Sequence, residues 1–168
     1  KHEGLVRAVG LGVNDVAVVL EVLREAEIDA LMLAGRYSLL DHGALPALLP
    51  QCQARGVHLA LGGVFNSGLL AAGTRGGALA RFDYAPAARG WIERTAQIEA
   101  LGERLGVPLR AAALQFALAH PAVEIVMLGA RTPHEWQDAQ AMLRQPIDPA
   151  FWQALRGAGL LPPAAPTP

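Results

Sequence analysis

The chain has 168 residues, 52% of them apolar and 17% charged, with 14 basic side chains against 15 acidic ones and a formal net charge of −1. That length fits one ordinary domain or a large piece of a bigger one, and the apolar share is enough to fill a core, which excludes disorder for most of the chain. A balanced charge without a basic stretch excludes nucleic acid as the main partner, and no apolar run approaches the roughly 18–20 residues of a membrane span.

In chain order, Val6–Gly12 reads as a short buried strand feeding a tight turn. Asn14 or Asp15 can cap the next stretch, where Val16, Val19, Leu20 and Leu23 repeat with helical spacing. Ile28–Ala34 is a continuous apolar strand, and a helix follows over Leu45–Ala54, stopped by Gly56. His58–Leu61 is a third strand, ended by Gly62-Gly63. Val64–Pro86 is rich in Gly and Ala without a clear period, and a connection that long is uncommon unless it covers a site. Helices are predicted over Trp91–Leu105 and Leu109–His120, separated by Gly106-Val107-Pro108. The fourth strand is Glu124–Leu128, ended by Gly129. Thr132-Pro133-His134-Glu135 opens a helix running to about Arg144, and a short helix over Pro149–Leu155 precedes a Pro/Ala tail, 162–168, expected to be disordered.

Four apolar strands alternating with helices imply parallel pairing with helical cover, and their continuous apolar runs are those of strands buried on both faces. A small doubly wound sheet and part of a (β/α)₈ barrel both fit. The barrel takes about 250 residues and eight such units, and the pattern alone leaves the choice open. Cys52 stands alone, so no disulfide framework or zinc ribbon is expected. His2, His42, His58, His120 and His134 lack ligand spacing, so no metal is expected either. Without a secretory leader at its start, the chain reads as soluble and cytoplasmic. Lys1 is the only lysine, which excludes any mechanism that needs an internal one.

Five stretches carry a family resemblance: Val6–Asn14 (VRAVGLGVN), Leu33–Leu40 (LAGRYSLL), Leu61–Leu70 (LGGVFNSGLL), Leu114–Val123 (LQFALAHPAV) and Leu128–Pro133 (LGARTP). In this order and spacing the chain resembles the C-terminal half of an aldo-keto reductase, nearest the L-fucose dehydrogenase / D-threo-aldose 1-dehydrogenase branch. The resemblance implies an α/β fold over residues 1–161: the second half, strands 5–8 and their helices, of a (β/α)₈ TIM barrel.

The family transfers hydride between a carbonyl or hemiacetal carbon and a nicotinamide, using an Asp/Tyr/Lys/His tetrad in which Lys lowers the Tyr pKa. Those residues come from the first four strands, so no catalytic residue is carried over. Neither Tyr37 nor Tyr84 occupies the tyrosine's motif, and Lys1 precedes the first strand. By itself this chain is expected to be inactive.

What the resemblance does imply is most of a cofactor cradle. Gly62, Gly63, Phe65, Asn66 and Ser67 form the loop that wraps the pyrophosphate, Gly129, Ala130, Arg131, Thr132, Glu135 and Asp138 hold the adenosine end, and Asn14 contacts the carboxamide. Glycines after a strand are also common turn formers, and Thr132–Glu135 reads equally as a capping box. Glu135 stands where NADP-preferring relatives often carry a basic or amide group, so NAD is the expected cofactor, with NADP possible because Arg131 is near. The sequence departs from the family at Gly62, which replaces a stacking aromatic, at Ala34, which replaces a glutamine, and at Ala139, which replaces an adenine-binding asparagine. Arg36 and Tyr37 follow a strand end that faces the site in such barrels, and are candidate substrate contacts by analogy.

The implied substrate is a small-molecule aldose or aldehyde. Half a barrel leaves two strand edges unpaired and one apolar face uncovered, so the implied macromolecular partner is the missing N-terminal half-barrel or, by self-pairing, a second copy. The favoured reading is one fragment of a full reductase. The alternative is a non-catalytic nucleotide-binding or interaction module from a truncated gene.

Overall fold

Glycines and capping side chains cut the chain close to the expected points in the computed structural model, which describes residues 1–75 and 80–168. The elements are β1 (Gly10–Gly12), α1 (Val16–Glu25), β2 (Ala30–Ala34), α2 (Leu48–Arg55), β3 (His58–Gly62), α3 (Leu69–Ala72), β4 (Arg81–Phe82), β5 (Ala85–Pro86), α4 (Arg89–Leu105), α5 (Leu109–Leu118), β6 (Val123–Val126), α6 (Pro133–Arg144) and α7 (Pro149–Gly157). Asp15, rather than Asn14, caps α1, its Oδ1 accepting from the N–H groups of Ala17 and Val18 at 2.9 and 3.1 Å. At Gly56 (φ 66°) the backbone turns left-handed and ends α2 as expected. Thr132 caps α6, with Pro133 opening its first turn.

The main sheet has the order β1-β2-β3-β6 and is parallel throughout. One register row runs Leu11, Leu31, Leu59 and Val123, and the next runs Gly12, Met32, Ala60 and Ile125. Leu31, Leu33, Leu59 and Leu61 are buried against the helices, in a core shared with Phe116, Phe151 and Trp152. The other face is bare: Met32, Ile125 and Met127 are 44%, 56% and 47% exposed. This is the uncovered apolar face that half a barrel implies, and it corrects only the reading of the continuously apolar strands as buried on both faces. Four strands cannot roll far enough to cover their own concave face, since a closed barrel needs about eight. At the sheet edge, Val6 and Val9 are exposed and lie outside β1, which shortens the first expected strand to three residues.

The long connection after β3 contains α3 and an antiparallel hairpin, β4–β5, its Phe82 ring stacked on Trp91 with centroids 4.2 Å apart. Residues 76–79 of that connection lie outside the described residues. The tail expected to be disordered is instead placed on α7: Ala165 is buried, and Arg156 donates to Ala165 O and Thr167 Oγ1, both at 2.9 Å. An apolar side chain and an arginine with two acceptors give the tail something to lose on detaching, which its Pro/Ala composition does not reveal. No helix among the described residues is long and apolar enough to cross a membrane.

Candidate functional site

In a parallel sheet the loops after the strands gather at one end, and here they form a groove. It consists of two cavities, of about 220 and about 530 Å³, that share Phe65, Gly68, Leu128 and Gly129. The smaller cavity is walled by the loops after β1, β2 and β3 and by the β4–β5 hairpin. The larger lies between α3, the start of α6 and the loop after β6.

In the smaller cavity the strand ends are laced together. Asn14 Oδ1 accepts from Ala34 N at 2.8 Å, and Gly35 N donates to Gly62 O at 3.0 Å. At Gly63 (φ 64°) the chain turns left-handed, and a Cβ added there would stand 3.2 Å from Gly35 N. Glycine is needed at Gly63 both for the conformation and for the close approach. Asn66 and Ser67 are also left-handed, at φ 46° and 56°, although neither is glycine. Asn66 is buried, and its Oδ1 accepts from Ser38 Oγ at 2.7 Å, which secures one end of the strained turn. Ser67 Oγ accepts from Tyr84 N at 2.9 Å, leaving the hydroxyl proton to donate elsewhere. Among the described residues, the N–H groups of Val64, Phe65 and Ser67 reach no backbone acceptor. Free amide donors on a glycine-rich loop are the chemistry that suits an anionic oxygen such as a phosphate's.

The larger cavity carries charge in matched pairs. Arg131 donates to Glu135 from its backbone N at 2.7 Å and from its guanidinium at 2.9 Å, and these two bonds hold the Glu135 carboxyl below its ordinary pKa. Glu135 thus turns back to Arg131 rather than to Thr132, while Thr132 Oγ1 accepts from Glu135 N at 3.2 Å. Arg110, from α5, grips Asp138 with two bonds of 2.7 and 3.0 Å. Both carboxylates at this end, Glu135 and Asp138, are thus bonded to an arginine.

Of the residues singled out from sequence, the structure brings Asn14, Gly63, Phe65, Asn66, Ser67 and Gly129 to the smaller cavity, and Phe65, Gly129, Ala130, Arg131, Glu135 and Asp138 to the larger. Gly62 and Thr132 stand behind the lining, Gly62 as the last residue of β3 and Thr132 as a helix cap. Arg36 lines the smaller cavity, but Tyr37 does not. Its ring is buried 5.1 Å from Phe116, its hydroxyl has no partner, and burial pushes its pKa up. A substrate contact from Tyr37 is thereby excluded. The sequence reading missed Phe82, Asp83 and Tyr84 on the hairpin, and Arg110. Arg110 bonds a carboxylate 28 residues away, a distance at which no local pattern signals the pair. Among the described residues, no cluster of three or more His, Cys, Asp or Glu could hold a metal ion.

Against known proteins, the pattern of the Aldo/keto reductase family matches residues 1–159. The chain is 43% identical over 158 residues to pyridoxal 4-dehydrogenase of Microbacterium luteolum, a match covering 94% of this chain and 46% of that protein. It is 34% identical over 164 residues to D-threo-aldose 1-dehydrogenase of a Pseudomonas species, covering 96% of this chain and 49% of that one. The holo form of an aldo-keto reductase from Bacillus halodurans superimposes with a TM-score of 0.70 at 26% identity, over 96% of this chain and 52% of that structure. A thermostable aldo-keto reductase bound to the inhibitor epalrestat shares the fold, with a TM-score of 0.61 at 17% identity. The chain spans about half the length of the curated relatives it matches, and its architecture is half of a (β/α)₈ TIM barrel.

Proposed function

The chain belongs to the aldo/keto reductase family, and from that premise we propose that it is the cofactor-binding half of a nicotinamide-dependent oxidoreductase acting on an aldose or another small aldehyde or hemiacetal. The observation that carries the reading is the continuous groove at the strand ends, with free amide donors on one side and paired charges on the other. In this reading the amides of Val64, Phe65 and Ser67 hold the pyrophosphate, and Gly63 lets the backbone come close. Arg131, Glu135 and Asp138 flank the adenosine, and Asn14 faces the nicotinamide end. The nicotinamide, when bound, supplies the hydride acceptor or donor. This chain's residues bind and orient it, and the proton-handling tetrad belongs to other polypeptide. NAD is the favoured cofactor, because the Glu135 carboxylate would repel a 2′-phosphate and can accept from a ribose hydroxyl. A cytoplasmic setting is part of the same reading.

The bare sheet face is where the first half of the barrel would seat. Its inward positions in this chain are mostly small, Gly10, Gly12, Ala30, Ala34, Ala60 and Gly62 beside Met32, His58 and Ile125. Barrel interiors are filled by side chains, so a second copy would leave the centre underfilled. A distinct half with larger inward side chains fits better. The test is to combine this chain with the separately expressed first half of D-threo-aldose 1-dehydrogenase and to follow NAD reduction with an aldose. Activity is expected only in the mixture. If the mixed halves assemble and bind NADH yet stay inactive, the chain is a nucleotide-binding module and the enzymatic reading fails.

A further inference from the structure

Arg36 lies at the crossing of three groove walls. It follows β2, its Nε donates to Asn14 O beyond β1 at 3.1 Å, and its Nη2 meets Asp83 Oδ2 at the hairpin tip at 2.8 Å. Its Nη1 stands 3.9 Å from Asp41. The planar guanidinium thus has partners along each of its directions, and such a fork fixes geometry as a lysine cannot. The hairpin tip needs fixing. Asp83 and Tyr84 both hold left-handed φ values, 52° and 64°, with no glycine to ease them, a conformation that side chains with a Cβ disfavour. Three contacts hold that turn over the smaller cavity: Arg36 on Asp83, Ser67 Oγ on Tyr84 N, and Arg81 on Tyr84 O at 3.0 Å. Arg36 also bears on Asn14 from behind, through the carbonyl, while Asn14's carboxamide is tied to Ala34 N. A guanidinium so engaged is not free to grasp a substrate.

We infer that Arg36 is the positioning residue of the groove: one side chain joins the end of β1, the end of β2 and the hairpin tip, and so sets the width of the cavity beside Asn14. The inference rests on the cofactor reading for its ligand, and on geometry alone for its effect on the loops. Arg36 borders the smaller cavity and not the larger one, so its loss should be felt by a whole dinucleotide and not by an adenine fragment.

The experiment measures NADH and AMP affinity and amide hydrogen exchange in the unliganded protein, for wild type, Arg36→Gln, Asp83→Asn, the double variant and Arg36→Lys. Arg36→Gln should weaken NADH about tenfold and Asp83→Asn about threefold, with the double variant no worse than Arg36→Gln. Arg36→Lys should recover only part of the loss, and AMP affinity should stay within about twofold. Exchange at Tyr84 N–H should quicken about tenfold in Arg36→Gln. AMP affinity falling in parallel with NADH, or unchanged exchange at Tyr84, overturns the inference. If wild type binds neither NADH nor AMP, the cofactor reading is what fails, and exchange at Tyr84 then decides the role of Arg36.

Discussion

The two faces of the sheet are built from the same strands and meet opposite fates. Leu31, Leu33, Leu59 and Leu61 point to the helices and are buried, whereas Met32, between two of them on β2, and Ile125 on β6 stand open. Side chains alternate across a strand, so a single register decides which face each one joins. The covered face is finished by this chain and carries its stability. The open face is left bare by this chain, and in the proposed function other polypeptide finishes it. The groove at the strand ends is held by the finished side, so the proposed cofactor seat does not depend on closure of the barrel.

The largest test of that contrast is truncation on either face. Leu61→Ala should cost about 2–5 kcal/mol in chemical denaturation, because it leaves a cavity in packed surroundings. Met32→Ala should change the isolated chain by less than about 1 kcal/mol, since little packing is lost. Equal losses at both positions would mean that the open face is covered after all.

Acid should next attack the finished side. His42 faces Phe116 edge-on, its Nε2 has no partner, and burial, with a smaller push from Arg94, lowers its pKa to about 4. An unfolded histidine titrates near 6.5, so between those values the unfolded chain holds a proton that the folded one does not. Stability present above about pH 6.5 is therefore lost as pH falls towards 4, by about 3 kcal/mol from this group. Burial lowers the pKa of His120 as well, which acts in the same direction. Denaturation curves at pH 7.5 and pH 5 should show the loss, and His42→Asn should flatten the dependence.

Two smaller effects concern the groove. Gly63→Ala forces a left-handed alanine towards Gly35, at a cost of about 1–2 kcal/mol, and should weaken NADH more than it weakens AMP. Glu135→Arg should shift the ratio of NADP to NAD affinity upward by about tenfold, measured by titration; an unchanged ratio would remove Glu135 from the choice of cofactor.

Much of this arrangement could be read in the residues. Asp15, Gly56 and the Thr132-Pro133 pair marked helix ends because capping is local chemistry, and the spaced glycine motifs pointed to the groove. The open face follows from the half-barrel resemblance and not from the residues themselves: Met32 is as apolar as Leu33, and nothing local says whether its cover lies on the same chain. Tyr37 was misplaced for a related reason, since the direction of a residue just past a strand depends on how the loop turns. The junction at Arg36 joins residues up to 47 positions apart, which no sequence window spans.

Whether the groove seats a dinucleotide is decided by equilibrium titration of this 168-residue chain with NADH, followed by AMP competition. Saturable binding at one site, displaced by AMP, is expected, with no oxidation of an aldose by the chain alone. A chain that is folded by circular dichroism and binds no NADH at millimolar concentration would rule the seat out.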